Sequence, residues 1–452
     1  MSSDQVDALG AVFGPGKDTR VAGEALIRLT PEAAQEVSVA IPDGPSAFGL
    51  AVTALGLDHL DGRLRDVKCQ AIAPVFPPEA PSLVGGFAAP VPPTEDYRIW
   101  FDPHFPLDEV IGGLKGCEEV ASAEPNAWLL SFGESAGPTY HHDQWGLKKI
   151  HCPEAWKRSI GDQNVAVAVL DSGIDLDHPE LTHLLRPGFT RVNFSPWEHP
   201  TGWVLEGNFA GAFSGAPQDE VGHGTHVAGI ISSVPSCDGG VAGVTQGCEL
   251  IPVRVMARGR ETSTGRVRPF GTAADAAAGI RWATQQDAQV INMSYGTSLP
   301  VDVERRAIEE AARQGVVLVA AAGNAGNSLH MFPAAFPEVI AVTACAMDDQ
   351  LWEHASFGSH VNLCAPGVEI LSTAWGADRY AVASGTSAAS PHVAGVAALV
   401  RSVQPDLTSD DVKRIIRETA TPLVNNPTTG SKIGLVNAEA ALSAASSNRS
   451  SA

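Results

Sequence analysis

Short, uninterrupted apolar runs alternate with helical patterns from about residue 140 onward, and this alternation limits the fold more than any other feature. A short apolar run is typical of a strand that is buried on both faces. Strands that alternate with helices predict an α/β fold, with a parallel β-sheet flanked by helices in three layers (α/β/α). The apolar runs occupy residues 165–170, 289–293, 316–322 and 339–342, and the helical patterns occupy residues 273–286, 302–314 and 408–417.

The first part of the chain has a different character. Short strands are predicted at residues 24–29 and 97–101, a helix at 107–114 and an extended segment at 120–132, with a Pro-rich irregular loop at 73–93. These elements predict a small N-terminal α+β domain. The predicted division is a tail (1–23), the α+β domain (24–132), a linker (133–144), the α/β domain (145–443) and a second tail (444–452).

Charge and cysteine content narrow the partners and the compartment. The 452 residues carry a formal net charge of −21, which argues against nucleic acid or an anionic membrane as the main partner. No apolar run is long enough to cross a bilayer, and the first 20 residues lack the apolar core of a signal peptide. We therefore expect a cytoplasmic protein, with secretion left open. The seven cysteines form no CxxC pair, so free thiols are expected, with a Cys237–Cys248 disulfide as the alternative.

One serine stands out in residues 384–395, Ser-Gly-Thr-Ser-Ala-Ala-Ser-Pro-His-Val-Ala-Gly. Ser387 falls where an apolar helix is predicted to begin, and a helix start presents unpaired N–H groups that stabilise negative charge. The small neighbours leave its hydroxyl accessible to a substrate. Ser387 is a candidate nucleophile if a base and an acid lie nearby. The alternative is a small-residue helix start packed in a core.

The other parts of a nucleophilic site follow predicted strands or begin helices. Asp171 comes directly after the apolar run 165–170, and His223 lies in Gly-His-Gly-Thr-His-Val-Ala-Gly. A histidine can take the hydroxyl proton while an acid fixes its tautomer. Asn324 follows the run 316–322 and could donate its amide to an oxyanion.

These motifs resemble those of the subtilisin-like serine proteases, the subtilases. The resemblance covers about residues 145–442 and rests on VAVLDSGID, GHGTHVAG, INMSYG, AAAGNAGN and SGTSAASPHVAG in the family's order, together with the closing GLVNAEAAL. It implies Ser387 as the nucleophile, His223 as general base and acid, and Asp171 as the orienting carboxylate. It also implies an oxyanion hole formed by Asn324 and the Ser387 backbone N–H.

The resemblance further implies where a polypeptide substrate binds. An extended peptide would add as a strand between Ser294–Tyr295–Gly296 and Pro269–Phe270–Gly271. Residues 320–323, which include Ala322 and Gly323, would line the primary pocket, with His330 and Met331 near its base. These apolar surroundings predict an uncharged residue before the cut bond. Ala273 stands where many relatives carry a bulky aromatic, which predicts a roomier outer subsite.

Residues 24–132 resemble the family's inhibitory propeptide, whose tail fills the cleft. The resemblance implies that this domain inhibits the enzyme and that the enzyme cuts it off near residues 132–140. The alternative is a permanent regulatory domain, because the insertion at residues 73–93 is unusual for a minimal propeptide.

The chain also departs from the family pattern. Ala388 replaces the methionine that commonly follows the nucleophile. The segment between Asp171 and His223 is longer than in compact relatives, and we interpret it as a surface loop, with a lid or clamp as alternatives; it carries Trp197, Trp203 and Phe213. No cofactor is expected. Calcium stays open as a structural ion, with Glu180 as the candidate ligand, because residues 233–241 lack the usual oxygen ligands.

Three neighbouring polar residues receive structural interpretations. We expect His226 to pack in its helix, His392 to pack behind the nucleophile, and Asp175 to hydrogen-bond the loop after Asp171. The spacing of His223 and His226 also permits a metal-dependent hydrolase, although no third ligand is evident. An inactive, peptide-binding subtilase scaffold is the other alternative to a serine endopeptidase.

Overall fold

The structure is a computed structural model of the 452-residue chain. It describes residues 19–37, 52–76, 94–131, 144–192, 200, 202–206, 216–235, 240–423 and 433–447, together with the backbone of three short strands at 83–84, 87–88 and 134–136. The helices are α1 (Pro31–Glu36), α2 (Asp58–Asp66), α3 (Leu107–Lys115), α4 (Trp145–Lys149), α5 (Cys152–Ala155), α6 (His223–Ile231), α7 (Ala273–Gln285), α8 (Asp302–Arg313), α9 (Thr386–Val403), α10 (Ser409–Glu418) and α11 (Ala438–Ser447).

The strands fall into one largely parallel sheet, one large antiparallel sheet and two small antiparallel sheets. They are β1 (Arg20–Leu29), β2 (Ala71–Pro74), β3 (Leu83–Val84), β4 (Phe87–Ala88), β5 (Asp96–Trp100), β6 (Val120–Ser131), β7 (Glu134–Ala136), β8 (Ala166–Asp171), β9 (Phe189–Thr190), β10 (Trp203–Glu206), β11 (Glu249–Arg254), β12 (Met256–Glu261), β13 (Val267–Thr272), β14 (Val290–Met293), β15 (Tyr295–Gly296), β16 (Val317–Ala321), β17 (Val339–Cys345), β18 (Leu363–Pro366), β19 (Ile370–Thr373), β20 (Tyr380–Ser384), β21 (Thr421–Pro422) and β22 (Gly434–Leu435).

The parallel sheet forms the middle layer of the main domain. Its order is β21-β22-β18-β17-β16-β14-β8-β11-β9, and every pair except β21–β22 is parallel. Side chains of β8 alternate between two cores: Val167 and Val169 face the core with α9, whereas Ala168 and Leu170 face the core with α7 and α8. The apolar runs form strands for this reason, since both faces are covered. The predicted three-layer α/β/α arrangement is present.

A second, antiparallel sheet joins the N-terminal domain to the main domain. Its order is β10-β12-β13-β6-β1-β5-β2, and β15 also pairs with β6. Strands β1, β2, β5 and β6 come from the predicted α+β domain, and the others come from the main domain. The sheet of the N-terminal domain therefore continues into the main domain, because β6 bonds to β13 and to β15.

Part of the long segment between Asp171 and His223 belongs to this sheet. Trp203 begins the edge strand β10, is buried, and packs on Phe270 with ring centroids 4.9 Å apart. The surface-loop interpretation is wrong for this part, because the indole covers the sheet rather than facing solvent. Trp197 and Phe213 lie outside the described residues.

Other local expectations can be compared directly. Within the predicted irregular segment 73–93, β3 and β4 pair as a short hairpin. Within the predicted linker, β7 pairs with β20. Cys248 is a buried free thiol with its Sγ 3.5 Å from Ser402 Oγ, and Cys237 lies outside the described residues. Among the described residues, no helix is long and apolar enough to cross a membrane.

Candidate active site

Asp171 and His223 meet at the carboxyl edge of the parallel sheet. Asp171 is the last residue of β8, and His223 is the first residue of α6. His223 Nδ1 lies 2.7 Å from Asp171 Oδ1, and the carboxyl group is fully buried. Because a carboxylate only accepts, the imidazole carries a proton on Nδ1 and keeps Nε2 as the basic nitrogen. His223 Nε2 is buried without a hydrogen-bond partner among the described residues.

Two opposing effects act on the pKa of His223. Burial favours the neutral ring and lowers the pKa, whereas the charge of Asp171 and its hydrogen bond raise it. The charge of Asp219 adds to the rise, and the net result is a pKa above the ordinary value of 6.5. The site therefore stabilises the imidazolium that forms when His223 accepts a proton.

Asp219 orders the loop that leads into His223, and sequence reasoning did not identify it. Its Oδ1 accepts from Ser172 Oγ and from the N–H groups of Val221 and Gly222, each at 2.9 Å. Its Oδ2 accepts from the backbone and the hydroxyl of Thr225 at 2.9 and 2.6 Å. Gly222 has φ 100°, a conformation that glycine adopts without strain. The sequence signal that could have identified Asp219 is its position as a carboxylate shortly before a histidine at a helix start.

Ser387 lies in the first turn of α9 and is 2% exposed. The N–H groups of a first helical turn have no acceptor within the helix, and they carry the positive end of the dipole. Ser294, which follows β14, donates its hydroxyl to the Ser387 carbonyl at 3.0 Å and lies 2.9 Å from Ser390 Oγ. These contacts fix the start of α9 against the sheet.

Asn324 is held with its amide in a defined orientation. Its Oδ1 accepts from the backbone N–H of Thr386 at 3.0 Å and from the Thr386 hydroxyl at 2.8 Å. These bonds hold the amide oxygen on Thr386, the residue before Ser387. Asp171 ends β8, and Ser294 and Asn324 follow its neighbours β14 and β16, which explains why one sheet edge gathers them.

The two predicted substrate edges are occupied by β6. Tyr295 and Gly296 of β15 pair antiparallel with Ser131 and Leu130. On the other side, the segment Pro269–Phe270–Gly271 of β13 pairs through Phe270↔Leu130 and Gly271↔Leu129. The last strand of the N-terminal domain thus lies between both edges, as an extended peptide would.

Beyond β6 the chain pairs with the other side of the cleft. Ser135 and Glu134 of β7 lie opposite Ala383 and Ser384 of β20, which ends just before Ser387. A cavity of about 220 Å³ opens on this side. Its lining includes His223, Ser387, Ala388, Trp375, Asp378 and Tyr380.

The predicted primary pocket is apolar at its start. Ala322 is fully buried, and Gly323 has φ 104° and donates its N–H to Thr386 Oγ1 at 3.1 Å. A side chain at Gly323 would meet Met331 Cγ at 2.9 Å, so Met331 packs directly on this turn. His330 is instead exposed, with its ring 4.5 Å from that of His360, and the expectation that it lies near the base is wrong.

The neighbouring histidines and Asp175 have structural partners. His226 donates Nε2–H to the Ile370 carbonyl at 3.0 Å, and burial lowers its pKa to about 4. His392 donates Nδ1–H to the Ala388 carbonyl at 2.9 Å. Asp175 Oδ1 accepts from Gln218 Nε2 at 3.3 Å. Among the described residues, the single group with metal-ligand geometry is His59, Glu118 and Glu119 on the N-terminal domain, so His223 and His226 do not form one.

Glu180, the candidate calcium ligand, has hydrogen-bond partners within the chain. Its Oε1 accepts from the Tyr380 hydroxyl at 2.7 Å, and its Oε2 accepts from the Val241 N–H at 3.2 Å. The carboxyl group is fully buried. Glu180 therefore serves as a buried acceptor for Tyr380 and Val241, and each carboxyl oxygen keeps a second lone pair.

Comparisons with known proteins assign the family. A sequence model described as the subtilase family matches residues 162–437. Subtilisin BL from Lederbergia lenta is 36% identical over 297 residues, which covers 66% of this chain and 97% of the relative. Alkaline elastase YaB from Bacillus sp. (strain YaB) is 35% identical over 348 residues, covering 77% of this chain and 83% of the relative. The chain belongs to the subtilase family.

A solved structure agrees with this assignment. A structure described as proteases from Pseudoalteromonas arctica PAMC 21717 matches with a TM-score of 0.58 at 29% identity, and it covers 69% of this chain and 100% of that one. The predicted recognition of a subtilase is confirmed, and so is the prediction of a serine-type endopeptidase, a hydrolase that cleaves polypeptides.

Proposed function

We propose that the chain hydrolyses peptide bonds through an acyl-enzyme on Ser387. The observation that carries this proposal is the 2.7 Å contact of His223 Nδ1 with Asp171 Oδ1 beside a serine at a helix start. Ser387 Oγ attacks the carbonyl carbon while His223 Nε2 takes its proton, and Asn324 Nδ2 and the Ser387 N–H donate to the oxyanion. The peptide C–N bond then breaks as His223 returns the proton to the leaving amine. Water then attacks the acyl carbonyl carbon while His223 Nε2 takes its proton. The ester bond breaks as His223 returns the proton to Ser387 Oγ, which releases the acid product.

A fluorophosphonate probe tests this assignment on the purified chain. We expect labelling on Ser387 in the wild type and none in Ser387→Ala. Absent labelling together with activity that a chelator abolishes would favour the metal-dependent alternative. Absent labelling without any activity would favour the peptide-binding scaffold. Loss of activity with a chelator would not by itself identify a metal-dependent hydrolase, because a chelator also removes an ion that only stabilises the fold.

The substrate is proposed to be an extended polypeptide that replaces β6 between β13 and β15. Main-chain groups of Pro269–Gly271 and Ser294–Gly296 would hold it as an added strand. Ala322 and Gly323 would line the primary pocket, which favours an uncharged side chain before the cut bond. The closing experiment is identification of cleavage sites in a protein mixture, with Ser387→Ala as the background.

We also propose that residues 24–132 inhibit the enzyme and are removed by it. Support comes from β6 and β7, which pair with opposite sides of the cleft and bracket residues 132 and 133. These two residues lie outside the described part, within the predicted processing region 132–140. An inhibited form also suits the predicted cytoplasmic location, where an unrestrained protease would cut other proteins.

Self-processing is tested by sequencing the N-termini of purified wild type and Ser387→Ala. We expect a new N-terminus between residues 132 and 140 in the wild type only. Full-length chains in both, with Ser387 labelled by the probe, would instead support a permanent regulatory domain.

A further inference from the structure

A carboxyl group that the proposed catalysis does not use lies beneath the substrate edge. Glu304, in the first turn of α8, is fully buried. Apart from the neighbouring Tyr295 hydroxyl, its carboxyl oxygens have no hydrogen-bond partner among the described residues. Burial raises the pKa of Glu304 to about 8, and the neighbouring Tyr295 hydroxyl offsets this rise only in part. Among the described residues no cation pairs with this buried carboxyl group, and a cation placed beside it would stabilise its ionised form.

Tyr295 connects Glu304 to the substrate strand. Tyr295 is fully buried in β15, and Glu304 is the group that its hydroxyl faces among the described residues. It lies directly opposite Ser131 of β6, so the side chains of Tyr295 and Ser131 share one face of the sheet. The Ser131 hydroxyl is a further buried polar group, and it has no hydrogen-bond partner in the described part of the chain.

Leu129 shares that face, since it is two residues from Ser131. Its side chain belongs to the apolar core that contains Tyr295, Ala273 and Ala276. Leu129 pairs with Gly271 of β13, and Gly271 has no side chain to narrow the pocket around Leu129. The pocket that Leu129 fills therefore has small apolar walls on the α7 side and the Tyr295–Glu304 pair on the other.

We propose that Glu304 determines specificity by selecting a lysine or arginine at the substrate position that Leu129 takes in this structure. This inference rests on the proposed function and extends it to one subsite. A long basic side chain packs its methylene stem on Ala273 and Ala276 and brings its cation to the carboxylate. The low dielectric of the pocket strengthens this pairing, and the cation favours the ionised form of Glu304, which an apolar side chain does not.

The same reasoning explains why the chain's own strand can be displaced. Leu129 fills the pocket but offers Glu304 no cationic partner. A substrate with a basic residue at this position makes one interaction that the N-terminal strand cannot make. A substrate with a basic residue at this position can therefore displace the N-terminal strand β6.

Peptides that copy residues 126–137 test the proposal, with lysine, norleucine or leucine at position 129. Norleucine matches the length of lysine without its charge. We expect kcat/KM of the processed wild-type enzyme to favour lysine over norleucine by about tenfold or more, and Glu304→Gln to remove this preference. Glu309→Gln removes an exposed charge from the same helix and should retain it. Equal kcat/KM for lysine and norleucine in the wild type, or an unchanged ratio in Glu304→Gln, overturns the inference.

A second measurement does not need activity. In full-length Ser387→Ala, Leu129→Lys should lower the melting temperature less when Glu304 is present than in the Glu304→Gln background, with Leu129→Met as the control for shape. The same loss in both backgrounds overturns the inference while the serine-protease proposal stands. If no peptide is cleaved, the proposed function fails and this coupling decides the role of Glu304 by itself.

Discussion

His223 can accept a proton from Ser387 only while its ring is neutral. Its pKa is raised above 6.5, because Asp171 and Asp219 outweigh the effect of burial. We therefore predict that kcat/KM rises with pH through a midpoint above 6.5. In Asp171→Asn the midpoint should fall, and kcat should drop by about 10⁴-fold because the tautomer is no longer fixed. A pH–rate profile of each enzyme checks this, and an unchanged midpoint in Asp171→Asn would contradict it.

Asp219 is a positioning residue that acts through His223. Asp219→Asn removes a negative charge that raises the pKa of His223, and it weakens the bonds to Val221, Gly222 and Thr225. We predict a stability loss of about 1–3 kcal/mol and a midpoint of kcat/KM shifted to lower pH. Chemical denaturation and pH–rate profiles measure these effects. A stability loss without any shift would leave Asp219 with a structural role only.

The site residues that could be predicted from the sequence are those that lie in short, recognisable motifs. Asp171, His223, Asn324 and Ser387 stand in small-residue motifs at strand ends or helix starts, and the structure brings them to one edge. Glu304 escaped prediction for a physical reason. It lies next to the apolar stripe of an amphipathic helix and has the pattern of a surface residue, but α8 packs on two sides and buries it.

Helix α8 depends on the N-terminal domain for its capping. Glu124 of β6 accepts from the backbone N–H groups of Asp302 and Val303 at 2.9 and 3.1 Å. Val301, the residue before the helix, offers no side-chain cap. We predict that Glu124→Ala weakens the association of the N-terminal domain by about 0.5–2 kcal/mol.

Processed enzyme with the N-terminal domain added back in trans allows the measurement. The inhibition constant of the Glu124→Ala domain should rise, while Glu124→Gln, which keeps one accepting oxygen, should lie between. Equal inhibition by all three domains would argue that this cap does not contribute to docking.

The bounds of elements with a clear apolar pattern, whether continuous or amphipathic, could be predicted within a few residues. The predicted segments 165–170, 302–314 and 120–132 correspond to β8, α8 and β6. The hairpin strand β12 was not predicted, because its sequence Met-Ala-Arg-Gly-Arg-Glu is polar and has the pattern of a loop. It becomes a strand through pairing with β10 and β13, which a local pattern cannot show.

The two domains are also joined by buried charge. Arg98 of the N-terminal domain lies 2.6 Å from Glu24 and 3.4 Å from Asp275 of α7, and all three are about 1% exposed. Arg191 lies 3.5 Å from the same Asp275 oxygen. Removing Arg98 leaves two buried carboxylates without this partner.

We predict that Arg98→Met destabilises full-length Ser387→Ala by about 3–5 kcal/mol. Arg28→Met is the matched control, because Arg28 pairs with Glu95 and Asp96 with about a third of its side chain exposed (34%) and should cost less than about 1 kcal/mol. Thermal or denaturant unfolding compares the two. Similar losses of unfolding free energy from both substitutions would show that the buried Arg98 pairs stabilise the protein no more than the exposed Arg28 pairs.

The shared strand β6 has a consequence for what the enzyme can degrade. When β6 leaves, β13 and β15 each lose an antiparallel partner, and the vacated place accepts only another extended backbone. If a substrate replaces β6 as proposed, its binding requires an extended segment of the target. A folded target must first release a segment from its own structure, so we expect the rate of degradation to follow how readily each target opens locally. The protease would in this way sense the local stability of other proteins.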